Sequence, residues 1–413
     1  MSKRSSQLVL GIDEAGYGPN LGPLVIGCSL WIVDDDLTSD PGSPPATELL
    51  LDRMVPSFLP KPSRSPFKHI PLGDSKILYS SGDSLDSLSV GVRYWLEKKT
   101  FLADRHTKNA RSQAPAWERT ASEAPPRAFP SQYPACTSAL QAEPAIQWVP
   151  RQSLGTRRWR SARSVEKNQV KLDSFQQMME VVAPNCISSL NAHPWYHLPS
   201  SSLLSIEPFT LLDKMLPNSI HQEADQTCRR AGVRFLGMHA DVVDEKRFNL
   251  DVQRYGNKAS LLSQASLRLA FSSLEKYANT LSKEVHSIHV YCDKHGGRNR
   301  YQALLMDVMP EIGFEVVRES AARSDYLGRW QGSELRWSFV AKGDRLIASA
   351  LSSMTAKWIR EVLMERLNRF WQSHLPGLKS TAGYPLDAKR FRTAIEPIAK
   401  RLGYPESDWW RAR

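Results

Sequence analysis

The chain lacks what a membrane-spanning or secreted protein needs. None of its apolar runs approaches the ~20 residues required to cross a bilayer. The opening MSKRSSQLVLGIDE returns to charged residues after only a brief apolar run, too short for a signal peptide. Its five cysteines (Cys28, Cys136, Cys186, Cys228, Cys292) are odd in number and widely spaced, with no Cys-x-x-Cys. That gives no support to a disulfide framework or a zinc site and leads us to expect a reducing cytoplasm. No Gly-Lys-Ser/Thr phosphate loop, Ser/His/Asp nucleophile order or fixed-period repeat occurs. His289 and His295 have no ligand partners at metal-binding spacing.

What is present is length and positive charge. The 413 residues are 41% hydrophobic, enough for a sizeable core with room for a poorly packed segment. Lys and Arg number 54 against 43 Asp and Glu, a net +11. Such an excess favours polyanionic partners, nucleic acid before anionic lipid.

Leu8 to Leu10 and Leu24 to Val33 read as strands around the Gly-rich turn GIDEAGYGPNLGP. A short helical candidate runs from Glu48 to Met54, and Asp74-Ser75-Lys76 sits in a polar loop. From about Asp104 to Val170 Pro, Ser, Ala, Gln and Arg dominate without either period, ending in RRWRSARSVEKNQVK. Residues 257–281 carry apolar residues at three- and four-residue steps, an amphipathic helix. SIHVYC (287–292) and LRWSFVAK (335–342) are strands, and 346–370 is a long helix whose small-residue start predicts close packing on a sheet. The chain is therefore expected to hold one α/β domain, formed by 1–100 and 233–413, interrupted by an insertion at 101–232.

Strand ends deliver acids at three places: Asp13 and Glu14, Asp293, and Asp344. Ligands of open α/β sheets gather beyond strand termini, so distant acids can share one site. Clustered carboxylates repel and raise one another's pKa unless divalent cations neutralise them. Hard oxygen donors suit Mg²⁺ or Mn²⁺, and a metal pair can activate water against a phosphodiester.

The surroundings of these acids resemble ribonuclease HII. GIDEAGYGP followed by GPLV is similar to the family's opening motif, LGDSKIL to its D-S-K-K-L segment, and VYCDKHGGRNR to its strand-D-G-N. VDEKRFN loosely resembles its I-D-x-x-N-I stretch. AKGDRLIASALSSMTAKWIRE resembles K-[GA]-D followed by the family's small-residue helix, and GLKSTAGYPLDAKRF its H-K-G-Y segment. These blocks keep the family's order over about two fifths of the chain. The resemblance implies a ribonuclease H-like mixed sheet flanked by helices, with a helical C-terminal region and, here, a long insertion. It also implies a monomeric, Mg²⁺- or Mn²⁺-dependent endonuclease that cuts 5′ to ribonucleotides in RNA–DNA hybrids or in duplex DNA, with no membrane role. Asp13, Glu14, Asp293 and Asp344 then correspond to the catalytic, metal-binding acids. Gly16, Tyr17, Gly18, Ser75, Lys76, Lys342 and Tyr384 correspond to nucleic-acid contacts.

Departures concern substrate reading more than the acids. Tyr17 replaces the family's Arg, and Thr381-Ala382-Gly383-Tyr384 replaces H-K-G-Y. Arg298 or Lys294 is a candidate for the lost positive charge. Plainer readings stand beside the functional ones: Asp344 as the N-cap of the following helix, Lys76, Lys342 and Lys357 as solvated charges, Tyr384 as a packed loop aromatic. Arg157 to Arg160 (RRWR) mixes cations with an aromatic, as single-strand binders do. Trp195, Trp337, Trp358, Trp371, Trp409 and Trp410 are expected to pack rather than stack on bases. The alternatives to the ribonuclease are a nucleic-acid-binding protein that lost catalysis and a nuclease of different substrate on the same fold.

Overall fold

The structure is a computed structural model describing residues 6–34, 54–61, 67–80, 84–107, 174–197, 216–281, 285–341 and 346–412. Lys342, Asp344 and Arg157 to Arg160 lie outside these residues, as does all of the 48–54 helical candidate except Met54. In chain order the main elements are β1 (Ser6–Ala15), β2 (Leu24–Asp34), β3 (Phe58–Leu59), β4 (Ile70–Pro71), α1 (Ser75–Leu78), α2 (Asp86–Thr107), α3 (Phe175–Val182), α4 (Ile187–Ala192) and α5 (Asn218–Arg230). There follow β5 (Val233–Val243), α6 (Glu245–Tyr255), α7 (Lys258–Leu281), β6 (Val285–Asp293), α8 (Gln302–Val308), β7 (Glu315–Glu319), β8 (Arg323–Trp330), β9 (Ser333–Val340), α9 (Ile347–His374) and α10 (Pro385–Arg401).

Seven strands form one mixed sheet in the order β5-β2-β1-β6-β9-β8-β7. Its centre is parallel, β1 with β6 and β6 with β9, while β2 and β5 on one side and β8 and β7 on the other run antiparallel to their neighbours. Strand alternation sends Leu8, Leu10, Ile12, Val290 and Cys292 to one face, under α6, α7 and α8. Val9 and Tyr291 go to the other, toward α9. The mixed, helix-flanked sheet matches the expected class, and 258–281 and 347–374 are helical where periodicity predicts it. Among the described residues no helix is long and apolar enough to cross a membrane.

The small residues at the start of α9 do what their size allows. A Cβ at Gly11 would overlap the backbone of Ala348, and one at Gly27 the carbonyl of Ser352. Helix and sheet are stitched where they touch: Ser29 Oγ donates to Ala348 O at 2.7 Å and Ser352 Oγ to Gly11 O at 2.8 Å. The cap position of α9 falls at Leu346, which makes no side-chain cap bond; the N-cap reading of Asp344 falls outside the described residues.

The chain divides into two units, 1–103 with 170–413, and 104–169. Most of the expected 101–232 insertion lies outside the described residues. Helix α3 buries Phe175, Met178, Met179 and Val182, an i, i+3, i+4, i+7 stripe that seats it in the core of the first unit. Trp195, Trp337, Trp358, Trp371 and Trp409 are buried, as expected.

Because the glycine at position 27 is required by contact rather than by backbone angle, Gly27→Ala is expected to cost about 1–3 kcal/mol or more through overpacking. Gly313→Ala, where nothing lies within 4 Å of the new methyl, is expected to shift stability by less than about 0.5 kcal/mol. Urea midpoints of the two variants check the contrast; equal losses would refute it.

Candidate active site

The site grows from the parallel pairing of β1 and β6. Ile12 is the partner of Cys292, so the next residues on each strand, Asp13 near the end of β1 and Asp293 at the end of β6, lie on neighbouring strands whose backbones run ~4.8 Å apart. Both continue the alternation of Val9 and Tyr291 and face α9. Asp293 is in turn the partner of Val340, the last residue of β9, four residues before Asp344. Glu14 follows on the opposite face, toward Cys292.

These acids feel one another. Burial first, then the charges of Asp13 and Asp293, push the Glu14 carboxyl up to about 8, with Lys76 opposing the rise. The Glu14 N–H donates to Asp13 Oδ1 at 2.8 Å. Burial and the same three acids, Glu14 foremost, hold the Cys292 thiol far above its ordinary range, which makes it an inert core thiol. Among the described residues no three His, Cys, Asp or Glu side chains group closely enough to hold a metal ion.

Lys76 arrives on a separate element. Asp74 caps α1 by accepting from Lys76 N at 2.9 Å. Ser75 is buried and its hydroxyl meets Ser353 Oγ of α9 at 2.9 Å. That contact docks the one-turn helix and leaves Lys76 exposed with its charge felt at Glu14. Ser75 thus makes a structural contact with α9.

The Gly-rich turn closes the other side. Gly16 has φ +88°, and a Cβ there would come within 2.6 Å of Pro23 O. The Tyr17 ring lies under Lys258 Nζ at 5.0 Å, a cation–π contact. Burial and Glu14 raise its hydroxyl pKa while Arg298 opposes. Asn20 N and Leu21 N both donate to Gly383 O, at 2.8 and 3.3 Å, which draws the Thr381–Tyr384 segment onto the turn. Tyr384, 52% exposed, lies beside Gly18.

The structure thus brings together Asp13, Glu14, Asp293, Gly16, Tyr17, Gly18, Lys76 and Tyr384; Lys342 and Asp344 lie outside the described residues. Lys294 does not replace the missing Arg. Its ammonium is consumed by Arg298 O, Asn299 Oδ1, Ser320 O and Ser324 Oγ at 2.7–3.2 Å. Lys357 is ion-paired to Glu361 at 2.8 Å. His295 is buried between Ser263 Oγ at 3.0 Å and Cys292 Sγ at 3.4 Å, and burial lowers its pKa to about 3, so it stays neutral. Sequence reasoning missed Lys258, whose place over Tyr17 depends on tertiary contact between α7 and the turn.

The Glu14 shift fixes a pH dependence. The carboxyl titrates near 8 in the folded protein and near 4.5 when exposed, so folding favours its protonated form. That contribution is whole below pH 4.5 and is lost as pH rises through 8. In metal-free protein the melting temperature of Glu14→Gln minus that of the wild type is expected to grow between pH 4.5 and pH 8. A difference that stays flat across this window would count against the shift.

No protein-family model matches the chain, and no curated protein matches it. Solved structures that it resembles include a chain of the PCNA–RNase HII complex from Archaeoglobus fulgidus, at 12% identity over 98% of this chain and 94% of that one, with a TM-score of 0.32. Another is ribonuclease H2 from Pyrococcus horikoshii OT3, at 13% identity over 97% and 92%, also with a TM-score of 0.32.

Proposed function

We propose that this chain is a divalent-metal-dependent nuclease of ribonuclease HII type, on a ribonuclease H-like sheet, that hydrolyses the phosphodiester 5′ to a ribonucleotide in RNA–DNA hybrids or in duplex DNA. The observation that carries the reading is the parallel register that sets Asp13 beside Asp293, with Glu14 driven up by burial and by the charges of both. An edge where carboxylates destabilise one another's charge fits a hard cation, because the cation removes the repulsion. Asp13, Glu14, Asp293 and Asp344 would hold Mg²⁺ or Mn²⁺. Such ions, when bound, lower the pKa of water and stabilise charge on phosphate oxygens.

The chain's own residues supply orientation. Lys76 offers a cation within electrostatic reach of Glu14, placed to offset phosphate charge. The Gly16–Gly18 turn lets a nucleic-acid backbone approach closely, since Gly18 presents no side chain beside Tyr384. Tyr384 presents an exposed ring for stacking on a sugar or base. Catalysis of this kind is positioning and charge stabilisation without a covalent intermediate.

A second reading, a nuclease of this type that reads a different duplex structure, is favoured by Tyr17. Its ring is taken on one side by Lys258, and it carries no charge where the family has Arg. The decisive assay offers the folded protein duplex DNA with one embedded ribonucleotide, an RNA–DNA hybrid, all-DNA duplex and branched DNA, each with Mg²⁺ or Mn²⁺. Cleavage 5′ to the ribonucleotide is expected. Asp13→Asn and Asp293→Asn are each expected to lower kcat by at least about a hundredfold, beyond the 10–100-fold of outer-shell partners. Cleavage of branched DNA alone selects the second reading. No cleavage by the wild type removes both and leaves a binding protein, recognisable by affinity that falls with salt.

A further inference from the structure

Beneath the Gly-rich turn lies a guanidinium that no part of the site accounts for. Arg411, 1% exposed, comes from the segment after α10. Its Nη1 donates to Gly16 O at 2.6 Å and to Pro19 O at 3.3 Å, and its backbone N–H donates to Asn20 O at 3.0 Å. The guanidinium stacks 4.7 Å over the Phe248 ring. Burial raises the pKa of Glu245 and the charge of Arg411 opposes that rise; the Glu245 Oε1 accepts from Gly22 N and from the Tyr196 hydroxyl, both at 2.8 Å. One residue therefore holds three carbonyls of a turn nearly four hundred positions away, and its counter-charge holds the turn's exit.

Asn249 of α6 clasps the segment that carries it. Its Nδ2 donates to Ser407 O at 2.9 Å and Trp410 O at 2.8 Å, and its Oδ1 accepts from Ala412 N at 2.6 Å. A second buried arginine, Arg360 of α9, lies where a Cβ on Gly16 would go and donates to Ala382 O at 2.9 Å. Both sides of the junction between the turn and the Thr381–Tyr384 segment are thus gripped at backbone carbonyls.

In a trans peptide the N–H points opposite to the C=O. Holding Gly16 O toward the core therefore turns the Tyr17 N–H away from it, and a cation on the carbonyl makes that N–H a stronger donor. We infer that Arg411 is a positioning residue for the candidate site: from behind, it sets the Gly16–Asn20 turn so that the outward Tyr17 N–H meets a nucleic-acid phosphate, while the Asn20 and Leu21 amides stay on Gly383 O. The positive charge absent from position 17 is thereby supplied through the backbone. This inference rests on the nuclease reading for its ligand, while the brace itself does not.

Arg411→Lys keeps the charge opposite Glu245 but loses the planar fork. Hydrogen exchange at Asn20 and Leu21 is expected to quicken at least about tenfold, with β1 amides 8–12 unchanged. The dissociation constant for duplex DNA with one ribonucleotide is expected to rise about tenfold, with kcat changed less than about threefold. Should Arg411→Lys fail to fold, Asn249→Ala loosens the same segment and is expected to change exchange and affinity in the same direction. Unchanged exchange at 20–21 in whichever variant folds overturns the brace, and faster exchange with unaltered duplex affinity overturns the positioning role. If the wild type neither binds nor cuts such a duplex, a response in exchange supports the brace while the nuclease reading falls.

Discussion

Like charges on adjacent strands are the constraint around which this protein is arranged. The parallel register of β1 and β6 sets Asp13 and Asp293 side by side, and burial together with these two charges displaces the Glu14 carboxyl to about 8. A strand able to slip by one residue would relieve the repulsion by turning Asp13 to the other face. Nothing in β1 is free to slip. Helix α9 sits so close at Gly11 and Gly27 that side chains are excluded, and serine bonds cross the contact in both directions. Close packing at two glycines thus fixes the position of an acid two residues further on.

The Gly-rich turn follows the same logic with different means. A loop beyond a strand end has no ladder to hold it, so its backbone groups must find partners elsewhere. Here they find Gly383 O, the Glu245 carboxylate and the Arg411 guanidinium. Burying two arginines and a glutamate is costly, and replacement by apolar residues would often be neutral or better for stability. Such groups are worth keeping where shape matters more than stability, and this turn adjoins the acids.

The acids were legible because strand alternation and strand ends are local features: 8–13 and 287–293 each declare a short apolar strand closed by an aspartate. The close approach of α9 was legible from its run of small residues. Other features were hidden for physical reasons. Helix α5 buries only Ala224 and Thr227, so it has almost no apolar stripe to read. Helix α3 has a full stripe, but it follows a biased segment whose composition masks the return of order. Arg411 and Lys258 act across long sequence separations, through a carbonyl and an aromatic face, and neither leaves a mark on its neighbours in the chain. Lys294 misled because proximity in sequence to Asp293 says nothing about where a four-carbon side chain finds its acceptors.

Charge is distributed unevenly in a way that net charge conceals. The chain as a whole carries +11, yet the strand-end edge gathers three carboxylates, with Lys76 opposing the rise at Glu14. Two cations flank that edge, Lys258 over the Tyr17 ring and Arg298 near the Tyr17 hydroxyl, while those of α10 (Lys389, Arg390, Lys400 and Arg401) are exposed along its length. Exposed charges more than ~10 Å apart are largely screened at moderate salt, so each region acts nearly on its own. A polyanion would be drawn to the flanks and repelled at the centre. Under the proposed function that is a useful arrangement, because the backbone is gripped at its sides while the one phosphate over the carboxylates is bound only when their charge is neutralised. Specific binding and competence to cut would then depend on different groups, the first on the flanking cations and the second on the acids.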